Sequence, residues 1–403
     1  MFGFRRKFDP PPPESDKFDI YGQGFTFCAE KGGRNRNFVL IDWAYVEKYA
    51  EAFQSRDIFT LWGILQLLRW YPGKIPDLDL MFNCGDQPIV FASDYAGPGP
   101  GPNATTPPPL FRYCADDDTL DIVFPDWSFW GWPEINIKPW VSLLKDLKEG
   151  NQRKKWIDRE PYAYWKGNSF VSMPRYKLLK CNVSYGYDWN ARVYMQDWIK
   201  EQEQGFKESN LANQCIHRYK VYIEGISWSV SLKYILACDS VTLMVNPHFY
   251  DFFMRSLMPL HHYWPIKEDD MCKDIKFVVD WGNIHQQKAQ AIGKAGSKFI
   301  EEKLRMENVY DYMFHSLNEY SKLLTFKPTI PPNATELCLE ELVCATEGLA
   351  TKFMIDSLVK RPSYSNPCSL LPPFSSTALD YIRTRKEISI KQVERWEKAV
   401  QYG

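Results

Sequence analysis

The sequence lacks the long apolar runs that mark membrane spans and the basic blocks that mark nucleic-acid binding. No stretch of about 18 consecutive apolar residues occurs, so we expect no transmembrane helix. The first residues, Met1 to Lys7, lack the apolar core of a signal peptide, and no membrane anchor is expected in this chain. A net charge of −1, without a long Lys/Arg run, predicts no nucleic-acid partner.

Several catalytic and metal-binding motifs are also missing. No Gly-x-Gly-x-x-Gly and no Walker lysine after a Gly-rich loop are present, which disfavours dinucleotide dehydrogenases and P-loop NTPases. No Gly-x-Ser-x-Gly elbow occurs, which disfavours a serine hydrolase. None of the 10 cysteines forms Cys-x-x-Cys and the six histidines are not at zinc spacing, so we expect no metal site. We interpret the acidic run at 116–118 as a solvated turn.

Two patterns bear on the compartment of the protein. Its 10 cysteines fit disulfides and buried thiols equally well. Candidate N-glycosylation sites begin at Asn103, Asn182 and Asn333 and favour a lumenal location, whereas the N-terminus carries no sign of secretion. An anchor upstream of this chain would reconcile the two observations.

The composition and the alternation of strand and helix patterns predict an α/β protein. Hydrophobic residues make up 45% and charged residues 25%, as in globular proteins, and 403 residues suit two or three domains. We predict a disordered, proline-containing tail at 1–20, a first unit at 21–205, a second at 206–330 and a helical extension at 331–403. The boundary follows from the polar run Glu201–Gly205.

In the first unit, one carboxylate stands where a catalytic group would be expected. Asp86 follows the apolar run Leu78–Phe82, which predicts a buried strand that ends in a turn. Ligands of open α/β sheets bind beyond the carboxyl ends of strands, and a carboxylate there can act as a general base. The alternative is that Asp86 accepts hydrogen bonds from turn amides.

In the second unit, a βαβ pattern offers a site for phosphate. A Gly turn after Tyr219–Ile223 leads into a predicted helix at 228–238, which the strand Val241–Val245 follows. The free N–H groups at the start of such a helix attract phosphate, although ordinary N-capping by serine is the alternative. The candidate contacts are Gly225, Ser227, Ser229, Ser231 and Lys233.

Tryptophan is abundant, with 15 residues in the chain. Trp127, Trp130 and Trp132 follow a short predicted strand and are candidates for stacking on sugar or acceptor faces. The alternative is that they pack the core between the two units.

Five sequence blocks occur in a fixed order between about Lys74 and Phe326. They are DLMFNCGDQP at 79–88, DIVFPDWSFW at 121–130, AYWKGN at 163–168, SVSLKYIL at 229–236 and HYWPIK at 262–267. Together they resemble the protein O-glucosyltransferase (Rumi-like, CAP10-domain) family, glycosyltransferase family 90, and especially its plant branch.

The resemblance implies a GT-B-like fold, in which two Rossmann-like domains face each other across the active site. It implies an inverting transfer of glucose or xylose from a UDP-sugar donor to a hydroxyl of a protein or glycan acceptor. It also implies that no metal or other cofactor is required, and that the protein works in the lumen of the endoplasmic reticulum or Golgi.

The family's motifs also assign roles to individual residues. They put the catalytic base on Asp86 and a contact to the donor diphosphate on Lys166, which Gly167 follows. The helix-start block implies that the second-unit residues named above bind the donor, together with Glu224 before them. Animal members carry Arg where Glu224 and Ser231 stand, so the donor contacts of this chain differ from theirs.

Two other function classes remain open at this point. A glycoside hydrolase would need a second carboxylate about 5–10 Å from the first, and Asp86 has no evident partner in the sequence. A non-catalytic carbohydrate-binding relative would be consistent with the departures at Glu224 and Ser231.

Overall fold

The computed structural model of the protein describes most of the chain. The described residues are 2–5, 38–41, 55–96, 106–183, 186–329 and 335–401. The candidate glycosylation sites Asn103 and Asn333 lie outside them, as does most of the predicted tail at 1–20. Residues 2–5 of that tail were wrongly predicted to be disordered, because they form a strand that pairs on both sides.

The described strands form two sheets. The first, in the order β11-β2-β1-β3-β4-β5, is mixed and consists of β1 (Phe2–Arg5), β2 (Phe38–Ile41), β3 (Leu78–Phe82), β4 (Leu110–Arg112), β5 (Ile122–Val123) and β11 (Thr335–Leu337). The second, in the order β10-β9-β8-β6-β7, is parallel throughout and consists of β6 (Glu160–Gly167), β7 (Ala191–Met195), β8 (His217–Tyr222), β9 (Val241–Val245) and β10 (Trp264–Ile266).

Helices cover and connect the sheets. They are α1 (Arg56–Trp70), α2 (Trp140–Gln152), α3 (Met173–Leu178), α4 (Trp198–Glu203), α5 (Ser231–Leu236), α6 (Met271–Ile284), α7 (Gln286–Lys303), α8 (Met306–Ser321), α9 (Leu339–Cys344), α10 (Gly348–Asp356) and α11 (Ser376–Gln401). The predicted α/β class is therefore confirmed, with parallel strands in both sheets.

The predicted βαβ unit is present as β8, α5 and β9. All five residues of β9 are buried, as expected for a parallel strand that is covered on both faces. The helix is shorter than predicted, however, because it begins at Ser231 and not at Trp228. Ser227 and Ser229 therefore lie in the turn before the helix.

The predicted boundary at residue 205 disagrees with the sheets. Strands β6 and β7, predicted to belong to the first unit, join the second sheet because β6 pairs in parallel with both β7 and β8. The C-terminal segment serves both sheets: β11 pairs with β2, and Trp396 of α11 stacks on Trp281 and contacts Trp264.

Both predicted cysteine states, the disulfide and the buried thiol, occur among the described residues. Cys181 is bonded to Cys272, and Cys215 is bonded to Cys238. Cys84 and Cys114 near the end of β3 are thiols, and burial raises the pKa of each to about 12. These two thiols are therefore protonated and unreactive at neutral pH.

Trp130 is a core residue and not a stacking platform. Its side chain is only 1% exposed, and its indole N–H donates to the hydroxyl of Tyr310 at 3.2 Å. The ring lies directly over Gly63 of α1, where an added Cβ would come within 2.6 Å of ring carbons. The prediction that Trp130 stacks on a ligand is wrong because this close packing leaves no exposed face.

A Gly63→Ala substitution tests this packing. In an open helix position, Ala would be favoured over Gly by about 1 kcal/mol. Here the methyl group overlaps the Trp130 ring, so we expect a loss of about 1–3 kcal/mol in the free energy of unfolding instead. Thermal or denaturant unfolding measures the change, and a stabilised variant would contradict the described contact.

A buried ion pair connects the end of the first sheet to α5 beside the second. Lys233 Nζ lies 3.0 Å from Asp126 Oδ2 and donates to Ser128 Oγ at 2.7 Å. Both charged side chains are almost fully buried. Asp126 also accepts hydrogen bonds from the backbone N–H and the hydroxyl of Ser128, so its carboxylate is fully engaged.

Lys233→Met should therefore be costly. It leaves Asp126 buried without its cation, for which we expect a loss of about 3–5 kcal/mol in the free energy of unfolding. Lys322→Met is the matched control, because Lys322 also pairs with a carboxylate, Glu319 at 2.6 Å, but on the surface. Equal unfolding midpoints for the two variants in denaturant titrations would contradict the importance of the buried pair.

Candidate active site

A cavity of about 520 Å³ lies where the carboxyl ends of β3, β6 and β8 meet. Its walls come from loops of both sheets and from α1, α2 and α5. Most of the residues singled out from the sequence line it. They are Asp86, Trp127, Trp132, Lys166, Gly167, Gly225, Ser227, Ser229 and Ser231.

Asp86 projects into this cavity from the turn that follows β3. Asn83, and not Asp86, caps the turn, because its side-chain oxygen accepts the N–H of Gly85 at 2.8 Å. The carboxylate of Asp86 is 36% exposed, and its Oδ1 accepts a hydrogen bond from Arg56 Nη1 at 2.5 Å. No other described residue donates to this carboxylate. Asp86 Oδ2 is therefore available to a ligand.

Arg56, the first residue of α1, was not identified from the sequence. Its guanidinium lies 4.5 Å from the ring centroid of Trp127 and 5.5 Å from that of Trp132. These rings hold the cation against Asp86 through cation–π attraction. The sequence signal for Arg56 is its position at the start of an apolar helix pattern. That pattern does not indicate that its partner, Asp86, lies 30 residues further along the chain.

The two sheets are joined at the cavity by a direct hydrogen bond. The hydroxyl of Ser227, in the turn after β8, donates to the backbone carbonyl of Asp86 at 2.6 Å. In the same turn, the hydroxyls of Ser229 and Ser231 lie 2.8 Å apart, and the N–H of Ser229 donates to the hydroxyl of Tyr222. The serines thus form a polar part of the cavity wall next to Asp86.

Arg175 of α3 is a second residue that the sequence did not reveal. Its guanidinium lines the cavity next to Gly225 and donates to the carbonyls of Glu224, Ile223 and Asn168. Burial lowers the pKa of Arg175, but an arginine keeps its charge at neutral pH. No described carboxylate forms an ion pair with it, so its positive charge at the cavity wall has no direct counter-ion.

Lys166 lies in the cavity wall with its ammonium occupied. Its Nζ donates to Glu201 Oε1 at 3.0 Å and to the carbonyl of Glu208 at 2.8 Å. Gly167, beside it, has space for no side chain, because a Cβ would come within 2.7 Å of the Trp165 ring.

Two predicted donor contacts do not line the cavity. Glu224 is buried, and its carboxylate accepts the N–H groups of His248 and Phe249 at 3.0 and 2.8 Å. Lys233 points away to the buried pair with Asp126. Both predictions are wrong for the same reason: position in a motif does not determine the direction of a side chain.

The tryptophans divide between the core and the cavity wall. Trp127 lines the cavity but is 1% exposed, and it packs edge-on against Trp132 with 4.9 Å between ring centroids. Trp132 lines the cavity and is only partly buried, so it is the most exposed of the three predicted tryptophans.

The remaining sequence predictions concern residues that do not line the cavity. The run at 116–118 lies in a turn where Asp117 pairs with Arg255 at 2.9 Å, as expected of a surface turn. Within the described ranges, no three His, Cys, Asp or Glu side chains come together as a metal site. Asn182 donates its side-chain amide to the carbonyl of Val193, and its glycosylation stays a prediction.

Among the helices in the described part of the chain, none combines the length and the hydrophobicity that a membrane crossing requires.

Comparisons with known proteins agree on one family. The chain is 25% identical over 283 residues to protein O-glucosyltransferase 1 of Rattus norvegicus, covering 66% of this chain and 67% of that one. It is 25% identical over 274 residues to the Homo sapiens protein of the same name, covering 64% and 65%. It is 24% identical over 280 residues to O-glucosyltransferase rumi of Drosophila melanogaster, covering 66% and 65%.

These alignments span about two thirds of the length of each relative. The family model for glycosyl transferase family 90 matches more of the chain, residues 29–397. This range includes the whole parallel sheet, the strands β2 to β5 and β11 of the mixed sheet, and every residue that lines the cavity. The chain therefore belongs to glycosyl transferase family 90.

Proposed function

We propose that the protein is an inverting glycosyltransferase that moves glucose or xylose from a UDP-sugar to a hydroxyl of a protein or glycan. The two sheets then act as the facing halves of a GT-B arrangement, with the mixed sheet on the acceptor side and the parallel sheet on the donor side. Family membership and the names of the relatives, which are O-glucosyltransferases, support glycosyl transfer.

The observation that carries the proposal is the hydrogen bond from Ser227 to the carbonyl of Asp86. It brings a carboxylate of one sheet and the polar turn of the other into one cavity. A base and a leaving-group site must lie this close, because both act on the same anomeric carbon.

In this proposal Asp86 accepts the proton of the attacking hydroxyl. Arg56 holds Oδ1, and Oδ2 is left to accept the hydroxyl proton as the oxygen attacks the anomeric carbon. The bond from that carbon to the diphosphate breaks on the opposite face, so the configuration inverts in a single displacement.

The leaving UDP gains negative charge during this step. Arg175, beside Gly225, supplies a fixed positive charge, and the hydroxyls of Ser229 and Ser231 supply donors. Arg175 would then take over the role of the arginines that animal members carry at the positions of Glu224 and Ser231. Lys166 becomes a further contact to the diphosphate if the bound donor replaces Glu201 as the partner of its ammonium group.

The two alternative classes have less support. The carboxylates that line the cavity among the described residues are Asp86 and Asp146, and Asp146 is bound to Lys138 at 2.6 Å. A hydrolase would need Asp146, on α2, as its second carboxylate, whereas the relatives that support the proposal are O-glucosyltransferases. For a non-catalytic relative the base would have to be missing or blocked, whereas Asp86 has one oxygen available.

The location in the secretory pathway is part of the same proposal. Disulfides such as Cys181–Cys272 and Cys215–Cys238 form in oxidising compartments. The candidate glycosylation sites are consistent with that environment.

Asp86→Asn is the first test. The amide keeps the size of the side chain but cannot accept the proton, so we expect transfer to fall by about 10²–10⁴-fold while UDP binding persists. Release of UDP from UDP-glucose and UDP-xylose with an acceptor panel measures transfer, and calorimetry measures binding. Asp94→Asn, on an exposed turn of the same segment, is the matched control and should remain active. Transfer by Asp86→Asn near the wild-type rate would refute the base.

The second test concerns metal ions. Because the cations of the cavity are proposed to hold the diphosphate, we expect transfer to continue unchanged after dialysis against EDTA and to gain nothing from added Mn²⁺ or Mg²⁺. Rates measured with and without the chelator decide the matter. A loss of activity that added metal restores would show that protein cations alone do not suffice.

A further inference from the structure

The floor of the cavity contains a buried lysine that the mechanism above does not use. Lys220 lies in the middle of β8, lines the cavity and is only 2% exposed. Its Nζ has one contact among the described residues, the disulfide sulfur of Cys238 at 3.4 Å, and sulfur is a weak acceptor. No described carboxylate forms an ion pair with it.

No acidic group forms a contact with Lys220: Glu160 and Asp239, the carboxylates of this region, act on His217 and on Arg159 instead. The neighbouring strands place Tyr164 and Thr242 beside it in register. Arg159 is the charged group that acts on it, and His217 lies close on its own strand. The side chain of Thr242 is fully buried, and its Oγ1 has no hydrogen-bond partner in the described structure.

Such an environment disfavours the ammonium form. Burial, with a smaller contribution from Arg159, lowers the pKa of Lys220 to about 7. Burial likewise lowers the pKa of His217 to about 4, helped by Lys220, so this histidine is neutral. The amine of Lys220 is thus divided between its two forms near neutral pH, next to a cavity that attracts anions.

We propose that Lys220 is a donor-binding residue whose amine takes up a proton when the negatively charged nucleotide sugar enters the cavity. No carboxylate supplies negative charge beside Lys220, and the diphosphate of the donor would do so. The ammonium form of Lys220 is therefore the stable form in the complex. The inference rests on the proposed function, because it requires an anionic donor. It adds a link between donor affinity and pH that the family motifs do not contain.

The sign of the pH effect follows from the two states. The free protein holds the proton below about pH 7 and loses it above, whereas the complex keeps it to higher pH. The dissociation constant should therefore be flat below pH 7 and rise above it, about tenfold from pH 6 to pH 8. At about pH 7.5, binding should take up about 0.8 of a proton.

Calorimetry with UDP-glucose and UDP-xylose tests this. Their diphosphates are esterified at both ends and do not titrate near neutral pH, unlike UDP. Binding heats in MOPS and in Tris, which differ in ionisation enthalpy, give the number of protons taken up. The wild-type protein and Lys220→Met are compared, with Lys288→Met on the surface of α7 as the matched control.

We expect Lys220→Met to bind without proton uptake, with an affinity that does not depend on pH and is about tenfold weaker than wild type at pH 6. Its melting temperature should be maintained, since a methionine fills the same space without a buried amine. Lys288→Met should behave as wild type. Burial also raises the pKa values of Asp251 and Asp274 to about 7, but neither residue lines the cavity. Any proton uptake by these two carboxyls should therefore be the same in the wild-type protein and in both variants.

The outcomes separate the two proposals. Donor binding by the wild-type protein without proton uptake, or equal uptake by Lys220→Met, would overturn the role of Lys220 and leave the proposed function intact. No binding of either nucleotide sugar at any pH would overturn both.

Discussion

The candidate site depends on one contact between the two sheets, the hydroxyl of Ser227 bound to the carbonyl of Asp86. Parallel strands present their carboxyl-end loops at one edge, and here loops that follow strands of both sheets line one cavity. The buried pair of Asp126 and Lys233 is a second contact between the end of the first sheet and the helix beside the second. The cavity, which Asp86 and the serines of the turn after β8 line together, depends on the two parts of the chain being held in contact.

The charges around the cavity are arranged unequally. Beside the mixed sheet, Arg56 is matched by the carboxylate of Asp86. Beside the parallel sheet, Arg175 donates to backbone carbonyls, and Lys220 contacts a disulfide sulfur. Carbonyl dipoles compensate a guanidinium only in part, and sulfur is a weak acceptor for an amine. These two basic groups are thus buried without counter-ions, and under the proposed function a negative ligand would relieve that cost.

Local patterns were sufficient to predict the α/β class, the βαβ unit and the turn that carries Asp86. Each rests on residues close in sequence: an apolar run, a glycine, a serine. Arg56, Arg175 and Lys220 could not be predicted, because each matters through a neighbour far along the chain. Lys233, Glu224 and Trp130 failed for the converse reason. Their types suited a ligand, but tertiary packing turned them toward Asp126, toward the amides of His248 and Phe249, and toward Gly63. The division at residue 205 failed because strand pairing is non-local.

The C-terminal helix α11 has a consequence for how the protein is made. Trp396 covers Trp264 and Trp281, and Glu397 pairs with Lys267 at 2.6 Å, so the last turns of the chain complete the outer face of the parallel sheet. During synthesis α11 leaves the ribosome only after every strand of the parallel sheet. The sheet can therefore pair its strands first, while Trp264 and Trp281 stay uncovered until α11 has docked.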